Sequence, residues 1–69
     1  MKLSARNQFR GKVIEIKEGV VTSEVIVDIG GGNTMVSIIS KDSVERLGIS
    51  VGQDVTTLVK STSVMLMTE

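Results

Sequence analysis

From residue 20 to residue 29 the chain alternates. Val21, Val25, Val27 and Ile29 fall on one face of an extended segment, and Thr22, Glu24 and Asp28 on the other. An amphipathic helix would space its apolar residues three and four apart, so this stretch reads as a strand. Gly30-Gly31-Gly32-Asn33 follows, a run of residues that tolerate positive φ, as a hairpin requires. The hairpin predicts a second strand over 34–39. Upstream, residues 8–17 read as a strand with Val13, Ile14 and Ile16 near its end, closed by the turn signal Lys17-Glu18-Gly19. The chain has a single aromatic residue, Phe9. Its core must therefore come from Val, Ile, Leu and Met, and the β-branched residues among them favour strands.

The pattern changes at Ser40. The stretch Ser40-Lys41-Asp42-Ser43-Val44-Glu45-Arg46-Leu47-Gly48 predicts a short helix. Ser40 is placed to cap it, Asp42 suits the positive first turn, and Gly48 suits its end. Val44 and Leu47, three apart, would face the core. Two further strands are expected at 54–60 and 63–68, separated by Ser61-Thr62. Three strands, one helix and two strands is the order of the OB-fold. The predicted fold is thus all-β, a five-stranded OB-like barrel with its helix between strands three and four.

With 69 residues there is room for one domain, 1–69, and chains this short bury only roughly 60% of their unfolded surface. The usual remedies are disulfides, metals or oligomerisation. There is no cysteine and no histidine, which removes disulfides, thiolate sites and the commonest transition-metal ligand. Oligomerisation remains. Several segments carry apolar residues on both faces: Val13 and Ile14, Ile26 and Val27, Leu66 beside Met65 and Met67. A small barrel has one inside, so the second face implies subunit contacts. Formal charge is zero, which speaks against non-specific nucleic-acid binding. No apolar run approaches a membrane span, and Met1-Lys2-Leu3-Ser4 lacks a signal-peptide core. A soluble, cytoplasmic, free-standing protein is expected.

Without His, Cys, Tyr or Trp, the Ser-His-Asp and Cys-His arrangements are impossible, and the eight acids are scattered along the chain. No enzymatic activity is expected. The triple glycine has neither GxGxxG spacing nor a Walker lysine. Three segments concentrate donors instead. Ser4-Ala5-Arg6-Asn7-Gln8 and Lys60-Ser61-Thr62-Ser63 each set a cation beside small hydrogen-bonding groups, and Ser40 and Ser43 flank the predicted helix start. Singly, each has an ordinary reading: a solvated chain start, a strand-end lysine, a helix cap. Together they suit a tetrahedral dianion, which needs many donors and few acceptors.

These segments also carry a resemblance. The runs Ser4-Ala5-Arg6-Asn7-Gln8, Gly11-Lys12-Val13, Gly19-Val20-Val21-Thr22 and Glu24-Val25 resemble the molbindins, small molybdate-binding proteins also called Mop. So do Ser37-Ile38-Ile39-Ser40, Asp42-Ser43-Val44, Leu47-Gly48 and Val59-Lys60-Ser61-Thr62, so the likeness spans essentially the whole chain. The family's unit recurs in molybdate-responsive regulators and transporter ATPase subunits. The resemblance implies an OB-like barrel with strands exchanged between subunits, assembled as a hexamer, a trimer of dimers. It implies that molybdate, and tungstate with it, binds between subunits for storage or homeostasis, with no other cofactor. The implied ligand residues are Ser4, the backbone of Ala5, Arg6, Ser40, Ser43, Lys60 and Ser61, with a second site at Gly19 and Val20. The alternative is an OB-fold nucleic-acid-binding module. It would need stacking aromatics and a basic groove, and one Phe in an uncharged chain supplies neither.

Overall fold

A computed structural model describes residues 4–69; the start of the chain, Met1 to Leu3, lies outside it. Four strands, β1 (Asn7–Glu18), β2 (Thr22–Gly30), β3 (Asn33–Ser40) and β4 (Asp54–Val59), form one antiparallel sheet in the order β3-β2-β1-β4. A helix, α1 (Lys41–Leu47), links β3 to β4. The predicted alternation holds where it was clearest. On β2, Val25 and Val27 are buried and Ile29 is half-buried, and Ser23 joins them on the inner face. Val21, expected on that face, precedes the strand and is 73% exposed. The β2–β3 turn uses its glycines as predicted: Gly30, Gly31 and Gly32 have φ of 95°, 63° and 80°.

Two local devices curl the sheet. On β1 the register slips between Val13 and Glu15, so that Val13 faces Val27 and Ile16 faces Val25. Ile14 is the extra residue of a bulge. The slip turns both Val13 and Ile16 inward, although they sit on opposite parities of the strand, and leaves Ile14 48% exposed. Gly11 supplies the second device. A Cβ there would lie 2.4 Å from the Asp28 carbonyl oxygen and 2.7 Å from Val27 Cγ1, so β1 and β2 approach as closely as they do only because Gly11 has no side chain.

The helix ends as its sequence dictates. Ser40 is extended, and its Oγ accepts the Ser43 N–H at 3.0 Å. Past Leu47, Gly48 donates to Glu45 O and Ile49 to Val44 O, which satisfies the last carbonyls. Val44 packs against the core, but Leu47 does not enter it and remains 62% exposed. The reason is that the barrel is open on that side. A groove of about 440 Å³ runs between the edge strands, lined by Val13, Val27, Met35, Ile39, Val55 and Leu58 among others, with Leu47 at its rim.

The predicted fifth strand does not join the sheet of this chain. Ser61–Ser63 form one 3-10 turn, and residues 64–69 follow without a ladder partner. Met65, Leu66 and Met67 are 92%, 93% and 91% exposed. The described residues therefore make a half-barrel, with only Val13, Val25 and Val27 as its fully buried hydrophobic core. One buried polar group is anomalous. Ser23 is 2% exposed and its Oγ has no hydrogen-bond partner.

These features set two expectations for urea unfolding. An unsatisfied buried hydroxyl costs stability, so Ser23→Ala should be neutral or raise it by up to about 1 kcal/mol. Gly11→Ala, which forces a methyl against backbone, should lower stability by about 1–3 kcal/mol. The reverse order of the two variants would contradict this account of the sheet.

Candidate oxyanion-binding site

The register of β1 with β4 places the first group of donors. Asn7 pairs with Val59, the last residue of β4. Arg6, one step before Asn7, therefore lies across from Lys60, one step after Val59. Ser4 and Ala5 continue outward on one side, Ser61 on the other. Residues 4–6 and 60–61 thus lie at one corner of the sheet. Arg6, Lys60, Ser4 and Ser61 are all exposed there, and Ala5 is half-buried, its carbonyl accepting Gln8 Nε2 at 3.2 Å. Neither Arg6 nor Lys60 forms an ion pair among the described residues, so both cations are available to an anion.

The second group sits elsewhere. Ser40 ends β3 and pairs with Thr22 at the start of β2, while Ser23 pairs with Glu18 at the end of β1. Ser40 and Ser43 therefore lie at the Glu18 end of β1, and Arg6 and Lys60 at the Asn7 end. A twelve-residue strand is roughly 35–40 Å long when fully extended, and coiling shortens it only in part. One chain does not bring the two groups of predicted ligands together.

Gly19 and Val20 fall beside the second group. Gly19 donates to Thr22 O at 2.9 Å, and Lys41 N–H donates to Val21 O at 2.9 Å, which ties the β1–β2 turn to the start of α1. Val20 is 92% exposed at the tip of that turn.

Ser40 and Ser43 are joined directly, with Oγ to Oγ at 2.7 Å. Ser43 Oγ also receives Arg46 Nη2 at 3.3 Å, while Arg46 Nε donates to Asp42 Oδ2 at 2.9 Å. Reading the sequence for donors passed over Arg46. The signal was present in the four-residue spacing of Asp42 and Arg46, an acid N-terminal to a base on one helix face.

A larger concavity, of about 780 Å³, lies over β1, β2 and β4 and is lined by Arg10, Lys12, Asp28 and Asp54. Its carboxylates match its cations in number, and Lys12 lies 3.9 Å from Asp54. Carboxylates are acceptor-only groups when ionised, so this surface does not suit an oxyanion. Among the described residues no group of three acids is arranged to hold a metal cation. The donors at both ends of β1 suit an anion that only accepts hydrogen bonds.

Comparison with known proteins agrees in fold and in ligand type. Residues 3–66 match the TOBE domain model. The chain is 57% identical over 67 residues to molybdenum-pterin-binding protein 2 of Clostridium pasteurianum, covering 97% of this chain and 98% of that one. A molybdate-binding protein from Sporomusa ovata superposes with a TM-score of 0.92 at 37% identity, over 99% of this chain and 100% of the other. The cytoplasmic molybdate-binding protein ModG, solved with molybdate bound, gives a TM-score of 0.82 at 35% identity, over 96% of this chain and 53% of its own.

The two serines of α1 should separate on substitution. Ser40→Ala removes the cap and should cost about 0.5–2 kcal/mol in thermal or urea unfolding. Ser43→Ala leaves that cap in place and should cost less. Equal losses would mean that Ser40 is not the capping residue.

Proposed function

The chain belongs to the Mop family of TOBE-domain proteins, and on that premise we propose that it binds molybdate in sites completed only between subunits. One observation carries the reading. The register that sets Arg6 beside Lys60 also leaves Ser40 and Ser43 at the far end of β1. A cage using Ser4, the Ala5 backbone, Arg6, Lys60 and Ser61 from one chain takes Ser40 and Ser43 from another. Gly19 and Val20, exposed beside Ser40, form the second class of site. Tungstate, a tetrahedral dianion of nearly equal size, is held by the same donors.

The assembly follows from the open barrel. Residues 63–68 carry Val64, Met65, Leu66 and Met67, and the groove between β3 and β4 is apolar and flanked by two unpaired strand edges. Seating this segment of one chain in the groove of another supplies the fifth strand, satisfies both edges and buries apolar surface on both partners. The exposed outer-face residues Ile14, Val36 and Ile38 give further contacts. A hexamer, three such dimers, is the state we assign. The protein is a binding protein rather than an enzyme, holding oxyanion in the cytoplasm for storage or homeostasis. The relatives' names pair molybdenum with a pterin, but with Phe9 as its sole aromatic residue this chain offers little for a flat ring to stack on. The oxyanion itself fits the donors. Nucleic acid and membrane are not partners in this reading.

Three measurements test it. Light scattering at micromolar protein should give a hexamer for the full chain and a smaller species for a chain ending at Thr62; a monomeric full chain refutes the assembly. Calorimetric titration should show Lys60→Ala and Arg6→Ala each losing about tenfold or more in molybdate affinity, because a charged hydrogen bond contributes about 1.5–3 kcal/mol. Molybdate should also raise the melting temperature where chloride at equal ionic strength does not. Parent-like affinity in both variants refutes the site.

A further inference from the structure

Residues 60–63 hold two of the roles assigned above at once. Lys60 and Ser61 are read as oxyanion ligands, and they also begin the connection from β4 to the segment that is seated in another copy. Lys60 is extended, with φ −64° and ψ 139°, Ser61–Ser63 make one 3-10 turn, and Val64 is extended again, with φ −85° and ψ 125°. Ser63 N–H donates to Lys60 O at 2.9 Å and Val64 N–H to Ser61 O at 3.4 Å, so both hydrogen bonds close inside the turn. Length does not impose this path. Residues 60–63, between Val59 and Val64, are a connection of ordinary hairpin length, long enough to return the tail along its own β4. What the run lacks is hairpin chemistry. The β2–β3 reversal uses positive φ at Gly30, Gly31 and Gly32, whereas Lys60-Ser61-Thr62-Ser63 has no glycine, and no other residue type among the described residues takes positive φ. The tail leaves the turn without pairing to β4, and Met65, Leu66 and Met67 stay exposed.

We propose that the Ser61–Ser63 turn is the hinge of strand exchange and that bound oxyanion holds this hinge open. The inference rests on the reading given above, both of the tail in a neighbour's groove and of Lys60 and Ser61 as ligands. The hinge has two states. In the open one, the turn described here, the tail is free to enter another copy. In the closed one, β4 runs on through Ser61, a tight turn forms at Thr62 and Ser63, and the tail lies in its own groove. Both states seat the same residues in the same kind of groove, so the hinge, more than the tail contacts, decides between them. The ligand residues distinguish the two. On a regular strand, successive side chains point to opposite faces, so Lys60 and Ser61 of the closed state cannot converge on one anion. The 3-10 turn that begins at Ser61 breaks that alternation. An anion held by both residues therefore has higher affinity for the open hinge and shifts the chain toward exchange. By linkage, the exchanged dimer binds the anion more tightly than a closed monomer does.

Thr62 and Ser63 test the hinge, because neither is a ligand in that reading. Thr62→Asn combined with Ser63→Gly supplies the residue pair of the tightest hairpin turns and favours the closed state. Light scattering on the full chain over a dilution series, without molybdate, should show this double variant dissociating at a protein concentration about tenfold or more above the parent's. Sodium molybdate should move its midpoint back toward the parent's, and sodium chloride at equal ionic strength should not. Calorimetric titration should find molybdate bound more weakly by the double variant, because part of the binding free energy goes into opening the hinge. Ser63→Ala, which adds no turn preference, should dissociate as the parent does. Circular dichroism tells a closed monomer from an unfolded chain, and Ser63→Gly alone should give a smaller shift in the same direction should the double variant misfold. Glycine-bearing variants with the parent's mass throughout the dilution series overturn the hinge. Variants that dissociate early and stay indifferent to molybdate overturn its control by the anion. A parent chain that is monomeric, or that binds no molybdate, overturns the reading beneath instead, and the inference with it.

Discussion

Strand β1 is shared between two partners, and the rest of the molecule is arranged around that sharing. Its first half pairs with β4 and its second half with β2, and Lys12 stands where the two ladders overlap, opposite both Asp54 and Asp28. A strand can pass from one ladder to the other only if it coils strongly. Gly11, which has no side chain to strike β2, and the bulge at Ile14 provide that coil within four residues. Because β1 is long and coiled, its two ends project away from each other. One end carries Arg6 to Lys60, and the other carries the β1–β2 turn to the start of α1.

The same geometry leaves the molecule unfinished. Four strands curl around three buried valines, with the groove between β3 and β4 still open. A fully buried hydrophobic core this small stabilises little against the entropy of ordering a chain. Val64 to Met67, which the proposal above seats in that groove, are exposed in the single chain. Surface ion pairs do not make up the difference. Lys12–Asp54, Lys17–Glu24 and Arg46–Asp42 are all substantially exposed, and such pairs contribute at most about 1 kcal/mol each. On the reading proposed above, stability and ligand binding share one requirement, a second copy of the chain.

A protein of zero net charge that binds a dianion cannot rely on long-range attraction. What it has is local placement. On the proposed reading this comes from hydroxyls, backbone N–H groups, and Arg6 and Lys60, which form no ion pair among the described residues.

The sequence by itself determined the local structure. Alternation from Val25 to Ile29, the triple glycine, the Ser40 cap and Gly48 each act over a few residues, so strands, turn and helix were legible with boundaries close to those observed. Motif resemblance likewise singled out Arg6, Lys60, Ser40 and Ser43. Tertiary structure decided what depends on distant contacts. The bulge at Ile14 is invisible in a sequence that merely shows apolar residues on both parities. Leu47, three residues from Val44, was expected in the core and stays at the rim of the groove, because helical periodicity says which face a side chain takes but not whether anything covers it. The run at 63–68 has strand-like composition and makes no strand here, since a strand exists only by pairing and this chain offers its end no partner. The β1–β4 register sets Arg6 across from Lys60, and both stand apart from Ser40 because of the length of β1. Neither distance is written in the spacing of the residues, because strand pairing and coil, rather than separation along the chain, set which side chains share a site.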